Sequence, residues 1–419
     1  MKDKIKQSMG VLIGNSMQFY DFTIFAFLTP QLSQYFFSID NDFLSYFITI
    51  LVFASGYITR PLGALIFGHI GDKFGRSIAL SKTIILSTFA TFIIGILPSY
   101  NTLGYLSPIL LIAFRLLQGL SVSGEEGGSV VLLYERNNFK NKGSIGGLVL
   151  SSVLFGVILG SLVCIISTYL ISSKIVGEWG WRIPFLFSLP FGIVAIKLRY
   201  RINDLKSFSR NKEINTTHRI PIVELISKHL NKIILSVLIV STYSVTTSAL
   251  IVNFPYLIKK VGFTQEFSLI LVALTVTLIG IVSPVLGKKF EKHGWKQAYI
   301  STLVTLIVMS PIIFLLISTG KYWLIILALF FFSIPTSSLS ALVFMKIVDI
   351  FPFGVRYSSV SLAFNLSITI FSSSTPIVLA YLENKYSYVY SGAYISLFSL
   401  IIILSVTFLD RNNGSKYEL

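Results

Sequence analysis

Five ionisable residues stand well inside apolar stretches of this chain: Asp21, Arg60, Arg115, Glu125 and Glu126. Such a group in a membrane-spanning helix costs about 2.5–3.5 kcal/mol on insertion scales, so it is kept for a task or tightly paired. Asn15, Gln18, Asp21 and Phe25 recur at three- and four-residue steps, as do Arg115, Gln118, Val122, Glu125 and Ser129. Each set therefore shares one helix face. Asp21 lies roughly 18 Å into its span counted from Met9, and Arg115 and Glu125 are roughly 15 Å apart along theirs, too far to pair. A carboxyl that alternates between apolar burial, water and an arginine neighbour can load and release a proton near neutral pH. Asp21 and Glu125 are the candidate proton carriers on this reasoning. Arg115 would reset the acid or grip a substrate carboxylate with its planar fork. The alternative is a static ion pair, Arg60 with Glu125 included, that only fixes helix packing. Glu126 points about 100° away from Glu125.

These residues need helices in lipid to hold them. Of the 419 residues, 53% are hydrophobic and only 12% charged, about half the usual supply of charge. The mean hydropathy is +0.77. That disfavours a water-soluble enzyme, a nucleic-acid-binding domain and a disordered scaffold. The apolar stretches are long and do not alternate, so they read as helices rather than barrel strands. Twelve spans are expected, near 9–37, 43–68, 78–97, 104–134, 144–171, 183–200, 230–258, 266–287, 297–318, 322–349, 355–382 and 388–409. The first is too long for a cleaved signal and lacks a small-residue cleavage site.

Net charge is +16, and the position of the charges explains it. Of 34 Lys and Arg, 26 fall in the two tails and the loops after even-numbered spans. An excess of basic loops marks the cytoplasmic face, so both termini are expected inside and no nucleic-acid partner is needed. The single cysteine, Cys164, reads as a buried small hydrophobe. No Cys/His cluster has zinc spacing and no phosphate-binding G-x-x-x-x-G-K-[ST] loop is present. Neither a metal nor another cofactor is expected, no ATPase is visible, and uphill movement of a solute would need a gradient.

The chain reads as two halves: residues 1–198, a polar cytoplasmic linker at 199–229, and residues 230–419. The loop from Gly68, GHIGDKFGRS, aligns with the loop from Gly287, GKKFEKHGWK, at an offset of 219 residues. Asp72 then meets Glu291 and Gly75 meets Gly294. Glu135 and Asp349 also end the fourth and tenth spans alike, each followed by a base, Lys142 and Arg356. Two six-helix bundles in parallel repeat, with a site near the bilayer midplane, is the plan of one large transporter class.

The loop GDKFGR resembles the G-x-x-x-D-[KR]-x-G-[RK] signature of the major facilitator superfamily. GNSMQFYDFTIFAF (14–27), RPLGALIFGHIGDKFGR (60–76), RLLQGLSVSGEEGGSVVLLYE (115–135), WGWRIPFLFSLPFGIVAIKLR (179–199) and FPFGVRYSSVSLAFNLS (351–367) are similar to the metabolite:proton symporter family. That family includes proline/betaine, α-ketoglutarate, shikimate and citrate permeases. The resemblance implies an all-α membrane protein of the major facilitator fold in which the polar faces of spans one and four meet. It also implies that Asp72, with Lys73, Gly75 and Arg76, latches the cytoplasmic gate against the start of span eleven near Arg356. Gln18 stands where family members commonly have Glu, Trp295 replaces an arginine in the second loop, and no long coiled coil follows span twelve.

The sequence thus leads to the expectation of a secondary active transporter, not an enzyme. It would import a small organic solute with a proton by alternating access, in a bacterial inner membrane and as a monomer surrounded by lipid. Substrate contacts are expected from Asn15, Gln18, Gln118, Tyr243, Asn253, Tyr256 and Asn365. Arg115 favours a carboxylate-bearing solute, with a proline- or betaine-type zwitterion ahead of a dicarboxylate. An uncoupled facilitator or exchanger of the same fold is the alternative.

Overall fold

Backbone groups in lipid must bond within their own segment, and in the computed structural model of the chain the described residues, 2–37, 52, 54–137, 140–200 and 229–412, form helices joined by short connections. Ten described stretches are long and apolar enough to cross a membrane, and they match expected spans three to twelve. The expected first span is helical as α1 (Lys2–Phe27) and α2 (Thr29–Phe36). The expected second span lies partly outside the described residues and ends in α3 (Arg60–Phe74). Most of the expected linker, 201–228, also lies outside them.

The chain divides into two compact units. One comprises Met1–Arg136, Ser152–Ile226 and Phe353–Leu362; the other comprises Asn137–Ser151, Ser227–Pro352 and Ala363–Leu419.

In the first unit, α3 passes into α4 (Arg76–Ile96) through Gly75, whose φ of 126° is open to glycine and strained for other residues. The fourth span is α5 (Leu106–Val122) followed by α6 (Glu125–Arg136), with a break at Ser123 and Gly124. Then come α7 (Lys142–Ser172), whose residues from Ser152 belong to this unit, and α8 (Ile183–Tyr200). Lipid offers helices no hydrophobic drive to associate, so close backbone approach at small residues does the work. A Cβ on Gly119 would lie 2.0 Å from the Gly56 carbonyl oxygen, and one on Gly156 2.1 Å from that of Ser16. Tyr20, Phe25, Phe36, Trp181 and Phe185 fill the core. Trp181 is packed against Tyr35, Phe36 and Phe185, while Trp179 is exposed.

In the second unit, α9 (Leu230–Ser248) continues through one π-helical turn, Ala249–Asn253, into α10 (Phe254–Lys260). Next are α11 (Gln265–His293), α12 (Trp295–Ser318) and α13 (Tyr322–Ile347). The eleventh span is α14 (Arg356–Ser367), a second π-helical turn at Ile368–Ser372, and α15 (Ser373–Lys385); α16 (Tyr388–Asn412) follows. Serines tie the two wide turns together: Ser248 Oγ donates to the Ser372 carbonyl at 2.7 Å, and Ser372 Oγ to that of Ser244 at 3.1 Å. Phe254 packs edge-on against Phe314 and Phe332.

Candidate functional site

Asp21 sits midway along α1, 1% exposed, where a bare carboxylate would be costly. Ser87 Oγ on α4 donates to its Oδ2 at 2.5 Å. Thr91 lies one turn further along α4. Thr91 Oγ1 accepts from Gln118 Nε2 at 2.7 Å, and Gln118 Oε1 accepts from Arg115 Nη1 at 3.0 Å. Buried hydrogen bonds therefore run from Arg115 through Gln118 to Thr91, one turn along α4 from the Ser87 that holds Asp21. Together they join the polar faces of spans one and four by way of span three. Ser87 and Thr91 were not among the candidates, although two hydroxyls four residues apart in an apolar run share a face.

Arg115 and Arg60 lie on aromatic rings. The Arg115 guanidinium carbon is 4.3 Å from the ring centre of Phe22 and 4.5 Å from that of Phe25. That of Arg60 is 4.7 Å from the centre of Phe22 and 4.6 Å from that of Tyr57. Phe22 is thus shared by two guanidinium groups, an arrangement worth up to about 2 kcal/mol per contact when desolvated.

Glu125 is paired, but with neither Arg60 nor Arg115. Arg199, at the end of α8, donates to both carboxylate oxygens. Thr83 Oγ1 adds a bond of 2.8 Å and Ser129 Oγ one of 3.4 Å. Arg199 is 1% exposed and also donates to the carbonyls of Gly10 and Val11 on α1. Its place next to the polar linker had suggested a loop charge; its helix instead carries it inward. Glu126 is also buried, and among the described residues it accepts no hydrogen bond and makes no ion pair.

The substrate-contact candidates divide by environment. Gln18 is fully buried, and neither end of its amide has a partner among the described residues. Asn15 donates to Ser152 Oγ at 2.8 Å, where α1 packs on α7. In the second unit Tyr243 is buried between Phe344 and Phe364. Asn253 ends the first π-helical turn, buried, with Oδ1 unpartnered among the described residues. Asn365 is buried on α14, whereas Tyr256 is exposed and lies under Lys260.

The loop residues form a separate cluster. The Asp72 carboxylate accepts from the backbone amides of Tyr357 and Ser358 at 3.0 and 2.9 Å, and from Ser358 Oγ at 2.7 Å. It therefore sits on the positive N-terminus of α14. Asp72 lies beyond the expected span, and burial pushes its carboxyl up to about 6, against the pull of Arg76, Ser358 and Tyr357. Arg76 contacts Asp72 at 3.3 Å and Glu135 at 3.2 Å and donates to the Phe353 carbonyl at 2.8 Å. Arg356 reaches Glu135 at 3.0 Å. Lys73 is exposed, beside Phe74.

The second unit repeats the pattern with other residues. Glu291 Oε1 accepts from the amides of Gly143 and Ser144 at the start of α7, at 2.7 and 3.3 Å. Lys142 pairs with Asp349 at 2.5 Å. Trp295, at the position equivalent to Arg76, donates from Nε1 to the Leu342 carbonyl at 2.8 Å. Among the described residues no group of three or more His, Cys, Asp or Glu could hold a metal ion.

Residues 11–367 match the family model described as Major Facilitator Superfamily. The chain is 28% identical over 415 residues to the glycine betaine/proline/ectoine/pipecolic acid transporter OusA of Dickeya dadantii, covering 96% of this chain and 82% of that protein. It is 28% identical over 381 residues to the proline/betaine transporter of Salmonella typhimurium, covering 88% and 76%. The solved proton:xylose symporter XylE, bound to 6-bromo-6-deoxy-D-glucose, superposes with a TM-score of 0.74 at 14% identity over 97% of this chain and 95% of that one. With apolar helices, this fold and a family match over most of its length, the chain belongs to the Major Facilitator Superfamily and is an integral membrane secondary transporter, not an enzyme.

Proposed function

We propose that the protein imports a proline- or betaine-type zwitterion together with a proton, by exposing a central site alternately to the two sides of a bacterial inner membrane. The buried acid Asp21, held by Ser87 on the helix whose Thr91 accepts from the Arg115–Gln118 pair, carries this reading. A buried carboxyl in such polar surroundings can trade a proton against their charge state. Asp21 is the proton carrier and Arg115 the group that senses solute. Glu125, saturated by Arg199, Thr83 and Ser129, serves as an ion-paired pin. Gln18 and Asn253, buried with unmet hydrogen-bonding groups, are the leading solute contacts; Gln118, Tyr243 and Asn365 stand near them in rank. The relatives named for proline and betaine transport support the solute class. The protein acts as a monomer with both termini in the cytoplasm, in keeping with its basic loops. Asp72, Gly75, Arg76 and Arg356 form the cytoplasmic latch.

The test is solute-driven proton movement in reconstituted vesicles. Proline or glycine betaine added outside should acidify the interior, and Asp21→Asn should abolish accumulation. Unaltered uphill uptake by that variant refutes the role of Asp21. Uptake indifferent to a protonophore favours an uncoupled facilitator or exchanger. A response to dicarboxylates alone moves the solute class to organic acids.

A further inference from the structure

Spans seven and eleven of the second unit run parallel, and four polar contacts join them in register. Ser244 Oγ and Ser367 Oγ share a hydrogen bond of 3.1 Å. Ser248 Oγ donates to the Ser372 carbonyl at 2.7 Å, Asn253 Nδ2 to the Pro376 carbonyl at 3.5 Å, and Lys260 Nζ to Asn384 Oδ1 at 2.8 Å. The sequence separations are 123, 124, 123 and 124 residues. Ser372 Oγ adds a return bond to the Ser244 carbonyl at 3.1 Å. The contacts run from the last turns of α9 and α14 to the ends of α10 and α15.

That register survives a break in each helix. A π-helical turn holds one residue more than the α-helical turn it replaces. A single such turn would rotate everything beyond it by about 100° and part the two faces. Here each helix has one, Ala249–Asn253 in span seven and Ile368–Ser372 in span eleven. The extra residues cancel. The offset is 123 before both turns, 124 at Ser248–Ser372, where only the second has been passed, and 123 again at Asn253–Pro376. Pro376 has no N–H for the Ser372 carbonyl four residues earlier, so that carbonyl lacks its α-helical donor and takes Ser248 instead. Bulges and prolines are where helices bend, and Pro255 follows the first turn as Pro376 follows the second.

We infer that α10 and α15 form one rigid flap hinged on the paired π-helical turns, with Ser244, Ser248, Ser367 and Ser372 as its joint. The basic-loop pattern puts the free end of the flap, at Lys260 and Asn384, on the outer face. Its swing controls access to the second unit from that side, whichever solute or ion is carried. Two consequences separate this device from two helices that gate singly. A covalent tie between α10 and α15 travels with the flap and leaves its swing intact. A tie from α10 to a helix outside the flap stops it. Phe263, just past α10, provides the second case: its ring centre lies 6.5 Å from that of Tyr322 on α13.

The test is thiol cross-linking in lipid vesicles, in a Cys164→Ala background, with a short bismethanethiosulfonate reagent. The rate of cross-linking needs no solute. Lys260→Cys with Asn384→Cys, both at exposed positions, should cross-link readily. Adding Ser248→Ala and Ser372→Ala should slow the reaction at least about threefold, the scale of one lost hydrogen bond. Ser248→Thr keeps the donor and should keep the rate. In uptake of proline or glycine betaine, the cross-linked Lys260→Cys, Asn384→Cys protein should retain most of its activity. The cross-linked Phe263→Cys, Tyr322→Cys protein should lose most of it and regain it on reduction. Loss of uptake on the first tie, reversed by reduction, overturns the inference, and so does full uptake with the second tie. A cross-linking rate that the paired alanines leave unchanged overturns it as well. Where no variant takes up either solute, the uncross-linked protein included, the solute class fails and the cross-linking rates alone decide the hinge.

Discussion

Arg199 grips both carboxylate oxygens of Glu125 across 74 residues of sequence, inside the first unit and away from water. Through its remaining N–H groups it also holds the carbonyls of Gly10 and Val11, while Thr83 and Ser129 complete the shell of Glu125. One ion pair thus ties α1, α4, α6 and α8 together. Breaking such a pair from one side costs about 3–5 kcal/mol because the other charge stays buried. Arg199→Gln and Glu125→Gln should each lower the thermal unfolding temperature in detergent markedly. The double variant should lose clearly less than the sum. Additive losses would mean that the pair contributes little.

Asp72 holds the second and third amides of α14, those of Tyr357 and Ser358. In Asp72→Ala these donors lose their acceptor, at about 1–3 kcal/mol for the contact. A cysteine placed at Ser361, which is buried against Gly127, should then react with a cytoplasmic thiol reagent at least about tenfold faster, the factor that corresponds to 1.4 kcal/mol. Gly68→Val should act in the same direction, since a Cβ there would lie 2.5 Å from the Ser358 Cα. Unchanged labelling in both variants would remove the latch.

The same contact should respond to pH. Burial raises the Asp72 carboxyl from 3.8 to about 6. Once the contact opens, the carboxyl returns towards its ordinary value, so the closed contact binds more protons between these limits. Falling pH through this window should therefore favour closure, and that contribution vanishes as pH rises through about 6. Between pH 7 and 5, labelling of the Ser361→Cys reporter should slow more in wild type than in Asp72→Asn, where only the falling thiolate fraction acts. A reporter that accelerates over this range would contradict the assignment.

Thr91 accepts from Gln118 one turn from Ser87, the donor to Asp21. Thr91→Val keeps the shape and removes the hydroxyl. It should leave protein abundance near normal while shifting the pH profile of uptake. A change in maximal uptake at all pH values without a shifted profile would indicate packing alone.

Gly75 joins α3 to α4 at a φ of 126°. Gly75→Ala should cost about 1–2 kcal/mol through Cβ strain, read as a lower unfolding temperature. An unchanged temperature would show that the turn relaxes.

The amino-acid sequence alone determines the membrane habit, because 53% hydrophobic residues and scarce charge leave lipid as the only adequate solvent. It also determines which residues are exceptional: an Asp, two Arg and two Glu in apolar surroundings are costly wherever the helices go. The 219-residue echo paired Asp72 with Glu291, and both accept from helix N-terminal amides because a carboxylate three residues before a tight glycine turn suits that role in either half. Tertiary structure alone decided the partners. Helical periodicity says which residues share a face but not which face of another helix will oppose it. Hence Glu125 went to Arg199, a residue that sequence placed at the edge of a loop, and Arg60 was left on two aromatic rings. Two neighbouring glutamates about 100° apart on a helix are chemically equal in sequence. Only the packing around them made one a saturated ion pair and the other an acid without a donor.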